Sequence, residues 1–165
     1  MSSSDRRLFL ASLLALGTLG ACGFTPIYGP GGAARGLTGA IRVEAPETRD
    51  EYELVKRLEE RLGRPEAARF TLGYRIETRE EASGITASAE TTRKQLFGTL
   101  TFTLTEDATG QVVQSGSVTS FVSYSQQGTT VATASSAQDA RKRLMVALAD
   151  LVTTRLIAGA SDWAG

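Results

Sequence analysis

Thr99-Leu100-Thr101-Phe102-Thr103-Leu104-Thr105 alternates hydroxyl and apolar side chains without a break, and a period of two over this length marks a β-strand with one buried face. Leu96 extends the apolar row, so Leu96, Leu100, Phe102 and Leu104 share one face while Thr99, Thr101, Thr103 and Thr105 share the other. The branched Cβ of threonine favours extended backbone and keeps its own face polar. The strand begins near Thr91. Asp107-Ala108-Thr109-Gly110 supplies turn residues, and the chain returns from Val112 to Tyr124 with Val118, Val122 and Tyr124 in register, which makes an antiparallel hairpin.

Upstream, Phe70, Leu72, Tyr74 and Ile76 alternate with Thr71, Gly73, Arg75 and Glu77, the pattern of a second half-buried strand. The polar stretch Glu80-Glu81-Ala82-Ser83-Gly84 reads as the turn after it. Earlier still, Ile41, Val43 and Ala45 alternate with Arg42 and Glu44, giving a short strand that Pro46 ends. Between these strands, Leu54, Val55, Leu58 and Leu62 form one helical stripe. Asp50 is the expected cap with Glu53 in capping-box spacing, and Gly63 and Pro65 close a helix of about three turns over residues 50–62. After the Gln/Gly/Thr-rich segment 126–133, a long helix over 136–157 gathers Leu144, Met145, Leu148, Leu151, Val152 and Leu156 on one side before Gly159. The order β-α-β-β-β-α predicts an α+β two-layer sandwich. Its sheet is four-stranded and mainly antiparallel, both helices lie on one face, and the other face is left rich in Thr and Ser.

The N-terminal segment has a different character. Arg6-Arg7 precedes an apolar run over residues 8–19, and Gly20-Ala21 leads into Cys22, the one cysteine of the 165 residues. The run is too short for a membrane span, which needs about 20 apolar residues, and suits a signal segment. Leu19-Gly20-Ala21-Cys22 resembles a lipobox, so residues 1–21 are expected to be a lipoprotein signal peptide. Cys22 then carries a diacylglycerol and an N-acyl chain of the palmitate type. Two or three acyl chains hold firmly where one holds reversibly. The competing reading is a buried helix with an ordinary buried thiol. Gly23, where an aspartate would signal inner-membrane retention, favours the outer membrane by analogy. Arg6-Arg7-Leu8-Phe9-Leu10 also resembles a twin-arginine export signal, with Asp5 outside that pattern. Residues 22–39, broken by Pro26, Pro30 and several glycines, read as a tether, 40–160 as a single domain and 161–165 as a tail.

Composition excludes several function classes. Loss of residues 1–21 removes Arg6, Arg7 and Asp5 from 18 basic and 18 acidic residues, leaving a net charge near −1, which argues against a nucleic-acid binder. There is no histidine, and the only thiol is assigned to lipid. Triads with a histidine base, thiolate metal sites and a disulfide therefore lack their parts. The adjacent carboxylates Glu80/Glu81 and Glu106/Asp107 point apart, whether on a strand or in a turn, and their spacing makes no dyad. No motif links Lys56, Lys94 or Lys142 to a serine, so no catalytic or metal residue is expected. Two basic clusters remain, Arg93-Lys94 at the start of the long strand and Arg141-Lys142-Arg143 in the last helix. Guanidinium and ammonium groups suit a phosphorylated amphiphilic lipid. Both clusters also suit a solvated edge, and charge at a strand edge protects it from pairing.

Cys22-Gly23-Phe24-Thr25-Pro26-Ile27-Tyr28-Gly29 resembles the mature start of the LptE family of lipopolysaccharide-assembly lipoproteins. Thr91-Thr92-Arg93-Lys94-Gln95-Leu96, Ala137-Gln138-Asp139-Ala140-Arg141, Leu148-Ala149-Asp150 and the element order are similar to that family too. The resemblance implies a non-enzymatic lipoprotein of the outer membrane, facing the periplasm, with no cofactor beyond its own acyl chains. It implies a chain that plugs the LptD β-barrel, assists the barrel's assembly and helps deliver lipopolysaccharide to the outer leaflet. Arg93 and Lys94 are then the expected lipopolysaccharide contacts. The alternatives are a lipid-anchored scaffold of another envelope assembly machine, and a lipid carrier, which needs an enclosed apolar cavity.

Overall fold

The computed structural model describes residues 37–65, 67–85 and 91–163, so the signal segment, Cys22 and most of the tether lie outside the described residues. Strand β1 (Ile41–Val43) leads into helix α1 (Arg49–Leu62), and β2 (Phe70–Ile85), β3 (Thr91–Glu106) and β4 (Val112–Ser125) follow. Helix α2 (Thr130–Gly159) and a single 3-10 turn (Ala160–Asp162) close the chain. The sheet order is β1-β2-β3-β4, with β1 parallel to β2 and the other pairs antiparallel. The parallel step is the crossover through α1, since two parallel neighbours cannot be joined by a hairpin. This is the expected α+β sandwich, mainly antiparallel in its sheet.

The alternation in the sequence sets the layers. Leu72, Leu96, Leu100, Phe102, Leu104 and Val118 are buried against Leu54, Leu58 and Leu62 of α1 and Leu144, Met145, Leu148, Val152 and Leu156 of α2. Each such side chain contributes about 1.5–3 kcal/mol by leaving water. Gly98 sits in the same row. A Cβ there would lie 2.9 Å from Leu144 Cδ2 and 3.0 Å from Leu148 Cδ1, so the missing side chain is what lets α2 lie close on β3. The helices are locked to each other by Arg57, whose Nε and second terminal nitrogen donate to the two oxygens of Asp150 at 3.0 and 3.1 Å. A planar fork on a carboxylate fixes orientation as well as distance.

Several local expectations shift. Helix α1 is capped by Thr48, not Asp50: Thr48 Oγ1 accepts from Glu51 N–H at 3.2 Å, and Glu51 Oε2 accepts from Thr48 N–H at 3.2 Å. Thr48-x-x-Glu51 satisfies the same box two residues earlier and leaves Asp50 free for another partner. Helix α2 starts six residues before the expected position, capped by Thr129 accepting from Ala132 N–H, and its first turns are exposed, with Val131 at 77 %. Glu80 to Gly84 is strand, because β2 continues its ladder on β3 as far as Ile85, with register shifts at Ala82, Gly84 and Ile85. Leu151, expected in the core, is 41 % exposed. The buried stripe of α2 drifts along its length, from Ala140, Leu144 and Leu148 to Val152, Thr153 and Leu156, as the helix crosses a twisted sheet.

Packing also reaches past residues 40–160 at both ends. Leu37 is buried in the core, and the Trp163 ring meets Phe70 edge-on at 5.0 Å while its Nε1 donates to Gln114 Oε1 at 2.8 Å. By length and composition alone α2 could cross a bilayer. Eight of its residues are instead buried in the domain.

Candidate functional site

Neighbouring residues on a strand project to opposite faces, and this separates the two basic residues that the sequence places side by side. Lys94 shares parity with Leu96 and Leu100 and stands on the helix side. Its Nζ lies 3.4 Å from Glu80 Oε2, the other Glu80 oxygen is 3.4 Å from the Arg141 guanidinium, and Arg141 also reaches Asp50 Oδ2 at 3.3 Å. The chain Lys94–Glu80–Arg141–Asp50 ties β3, β2, α2 and α1 together. Tyr124 is buried beside it, and burial pushes its hydroxyl above the ordinary tyrosine value, with the charge of Glu80 adding and Arg141 opposing. Because the paired side chains are 29–42 % exposed, each bridge is worth about 0–1 kcal/mol. Their common effect is to hold register.

The other basic cluster is compensated as well. Lys142 Nζ is 3.9 Å from Glu53, and Arg143 Nε donates to Asp139 at 2.8 Å. The carboxylates also separate as the alternation requires. Glu80 faces Lys94 and Arg141, whereas Glu81 bonds Arg79 at 3.2 Å. Asp107 accepts from Arg42 and Thr71, and Glu106 from Thr109. Within each adjacent pair the two carboxylates thus meet different partners.

Arg93 lies on the opposite, uncovered face, opposite Gly84 of β2 and Ser125 of β4, and is exposed. It has no carboxylate partner among the described residues. Along the same row stand Gln95 and Phe97, and Phe97 pairs in register with Phe121. The two rings are 5.6 Å apart and tilted by 33°, and the Arg79 guanidinium lies 4.7 Å above the Phe97 ring. Phe121 is 57 % exposed. Four strand steps separate Arg93 from Phe97, about 13 Å. An aromatic pair flanked by two guanidiniums can engage an amphiphile at both ends. The rings offer apolar and sugar-stacking surface, and Arg93 offers a planar hydrogen-bonding fork to phosphate, while Arg79, already paired with Glu81, caps the Phe97 ring.

Phe97, Phe121 and Arg79 were not singled out from the sequence. The signal was available, because both phenylalanines fall in the parity of the threonines, where large apolar residues have no core to enter. Cys22 lies outside the described residues.

A family model described as LptE, lipopolysaccharide-assembly, matches residues 38–156. No curated protein matches the chain at a significant level. Among solved structures, a lipoprotein from Caulobacter crescentus CB15 is similar with a TM-score of 0.65 and 22% identity, covering 78% of this chain and 96% of its own. Rare lipoprotein B from Shewanella oneidensis is similar at 0.56 and 11% identity, over 72% of this chain and 92% of its own. A minor lipoprotein from Acinetobacter baumannii is similar at 0.51 and 19% identity, over 72% and 88%. At these identities the structural likeness concerns the fold.

Proposed function

This chain belongs to the LptE lipopolysaccharide-assembly family, and from that premise we propose that it binds lipopolysaccharide on the open face of its sheet while seated in the LptD β-barrel. The role in lipopolysaccharide assembly comes with the family. The finer reading is a non-enzymatic lipoprotein held in the outer membrane by acyl chains on Cys22, facing the periplasm. There it plugs the barrel, assists its assembly and helps deliver lipopolysaccharide to the outer leaflet.

The observation that carries the binding reading is the Arg93, Arg79, Phe97 and Phe121 patch on a face that neither described helix covers. Lipopolysaccharide joins phosphate, sugar and acyl chain in one molecule, and the patch presents a partner for each kind of group. Arg93 takes the direct role because its charge is unmatched among the described residues. Lys94 stands behind the sheet with its charge already met by Glu80, and contributes by holding the strand that carries Arg93. The hydroxyl-rich remainder of the face, including Thr99, Thr101, Thr103 and Ser117, suits a water-lined barrel interior, where buried apolar contact is not required. A carrier mechanism fits poorly, because the space between sheet and helices is filled by the core.

Two measurements test this. Gentle detergent extraction of a tagged full chain is expected to recover a large β-barrel protein in a near one-to-one amount, and recovery of a different envelope partner without the barrel would contradict the plug. A photo-crosslinking residue in place of Phe121 is expected to capture lipopolysaccharide in cells, whereas the same residue in place of Lys56 on α1 is not. Equal capture at both positions overturns the assignment of the face.

A further inference from the structure

At the free end of the sheet, β4 runs for 14 residues without a charged side chain or a proline. Folded proteins ordinarily protect such an edge with lysine, proline or a covering segment, because its outward N–H and C=O groups template another strand. Gln126 N–H donates to Thr92 O at 3.0 Å, which fixes the alternation of the ladder. Even-numbered residues of β4 exchange bonds with β3, and Ser115, Ser117, Thr119, Phe121 and Ser123 direct their backbone groups outward. The Ser123 carbonyl accepts from the Arg143 guanidinium at 3.5 Å. From Ser115 to Phe121 the outward groups have no partner among the described residues.

Helix α2 runs beside this edge. Arg155 follows Leu148 by seven residues, two helical turns, and Leu151 flanks the same side. Leu148 is fully buried, but Leu151 is 41 % exposed, and Arg155 is exposed without a carboxylate partner among the described residues. A groove lined by Ser117, Val118, Thr119, Leu151, Arg155 and Ala158 runs between the helix and the strand edge.

We propose that this edge accepts a fifth strand from a partner polypeptide: an extended segment whose apolar side chains cover Leu151 and Ala158 and whose carboxylate meets Arg155. Main-chain bonds to Ser115, Ser117, Thr119 and Phe121 supply affinity, and the alternate side chains entering the groove supply specificity. The occupant is a partner with an acidic residue, since Arg155 is exposed without a carboxylate among the described residues, and an edge-to-edge pair of two β4 strands would offer it none. The inference is independent of lipopolysaccharide binding, because it uses the strand edge and the flank of α2, not the open face.

The test is a titration of the full chain with a fluorescent ten-residue peptide of alternating Val and Thr carrying one central Glu, against the same peptide with a central Lys. The Glu peptide is expected to bind, and the Lys peptide to bind about threefold more weakly, as a partly exposed charge pair allows. Arg155→Glu reverses that preference. Thr119→Pro removes an outward N–H without touching the β3 ladder and is expected to weaken the Glu peptide about tenfold with the helical circular dichroism intact. Should that variant not fold, Leu151→Asp, at an exposed position, takes its place with the same expectation, since it removes apolar cover and repels the peptide's carboxylate. No binding up to about 1 mM, equal binding of the two peptides, or binding insensitive to all three variants overturns the proposal. A concentration-dependent dimer abolished by Thr119→Pro also overturns it, by assigning the edge to a second copy.

Discussion

The two faces of the sheet are carried by the same strands and differ by one residue's step along the chain, yet that step separates a face buried under helices from one left exposed. Leu96, Gly98, Leu100, Phe102 and Leu104 on one side meet two helices and are buried, while Arg93, Phe97 and Thr101 on the other meet none. On the helix side charges are compensated, as in Lys94–Glu80–Arg141–Asp50. On the open side Arg93 has no such partner among the described residues. Arg79 on the same open side is paired with Glu81, whereas the Arg93 charge, unmatched among the described residues, is available to a ligand.

The largest expected effect lies on the covered face. Phe102→Ala opens a cavity among Leu100, Leu104 and α2 and is expected to cost about 3–5 kcal/mol in denaturant unfolding. A loss below about 1 kcal/mol would break the contrast between the faces. Gly98→Ala comes next, at about 1–3 kcal/mol, because the new methyl enters the space of Leu144 and Leu148. A neutral result there would mean that α2 does not lie as close to β3 as described.

Tyr74 offers a sharper probe of the same face. Its hydroxyl is buried without a hydrogen-bond partner among the described residues, and burial, with Glu51, Glu44 and Glu47 adding, pushes its pKa from 10.0 to about 12. The folded state holds this proton more tightly than the unfolded chain. Stability is therefore expected to fall as pH rises from 10.0 through about 12, and to be unaffected by this group below that window. Tyr74→Phe removes that component of the pH dependence and leaves stability at pH 7 equal or higher, since an unpaired hydroxyl is lost. A Tyr74→Phe variant with the full alkaline decline would show that other groups carry it. The smallest change belongs to the open face, where Phe121→Ser is expected to shift stability by about 0.5 kcal/mol or less.

Much of this architecture was legible in the sequence, because hydrophobic alternation reports directly on which side of a strand meets the core. The strands around Phe70, Leu100 and Val118 and the helical stripe of Leu54, Leu58 and Leu62 all follow from period alone. Boundaries were less legible where two local solutions compete. Thr48-x-x-Glu51 and Asp50-x-x-Glu53 are equivalent capping boxes, and tertiary contact between Asp50 and Arg141 accompanies the first. Glu80 to Gly84 has turn composition but is held extended by its ladder to β3. The candidate site was half legible. Arg93 was found by its charge, but adjacency in sequence suggested a partnership with Lys94 that the pleat divides. Phe97 and Phe121 come together only through the β3–β4 register, 24 positions apart, which no local pattern reports.

Lipopolysaccharide binding by the open face, with the covered face in support, is tested by a lipopolysaccharide titration of Arg93→Glu beside Lys94→Gln, at low and high salt, with folding checked by circular dichroism. Arg93→Glu is expected to weaken binding and reduce its salt dependence, while Lys94→Gln binds nearly as the unaltered chain does. Equal losses in the two variants, or a loss confined to Lys94→Gln, would contradict it.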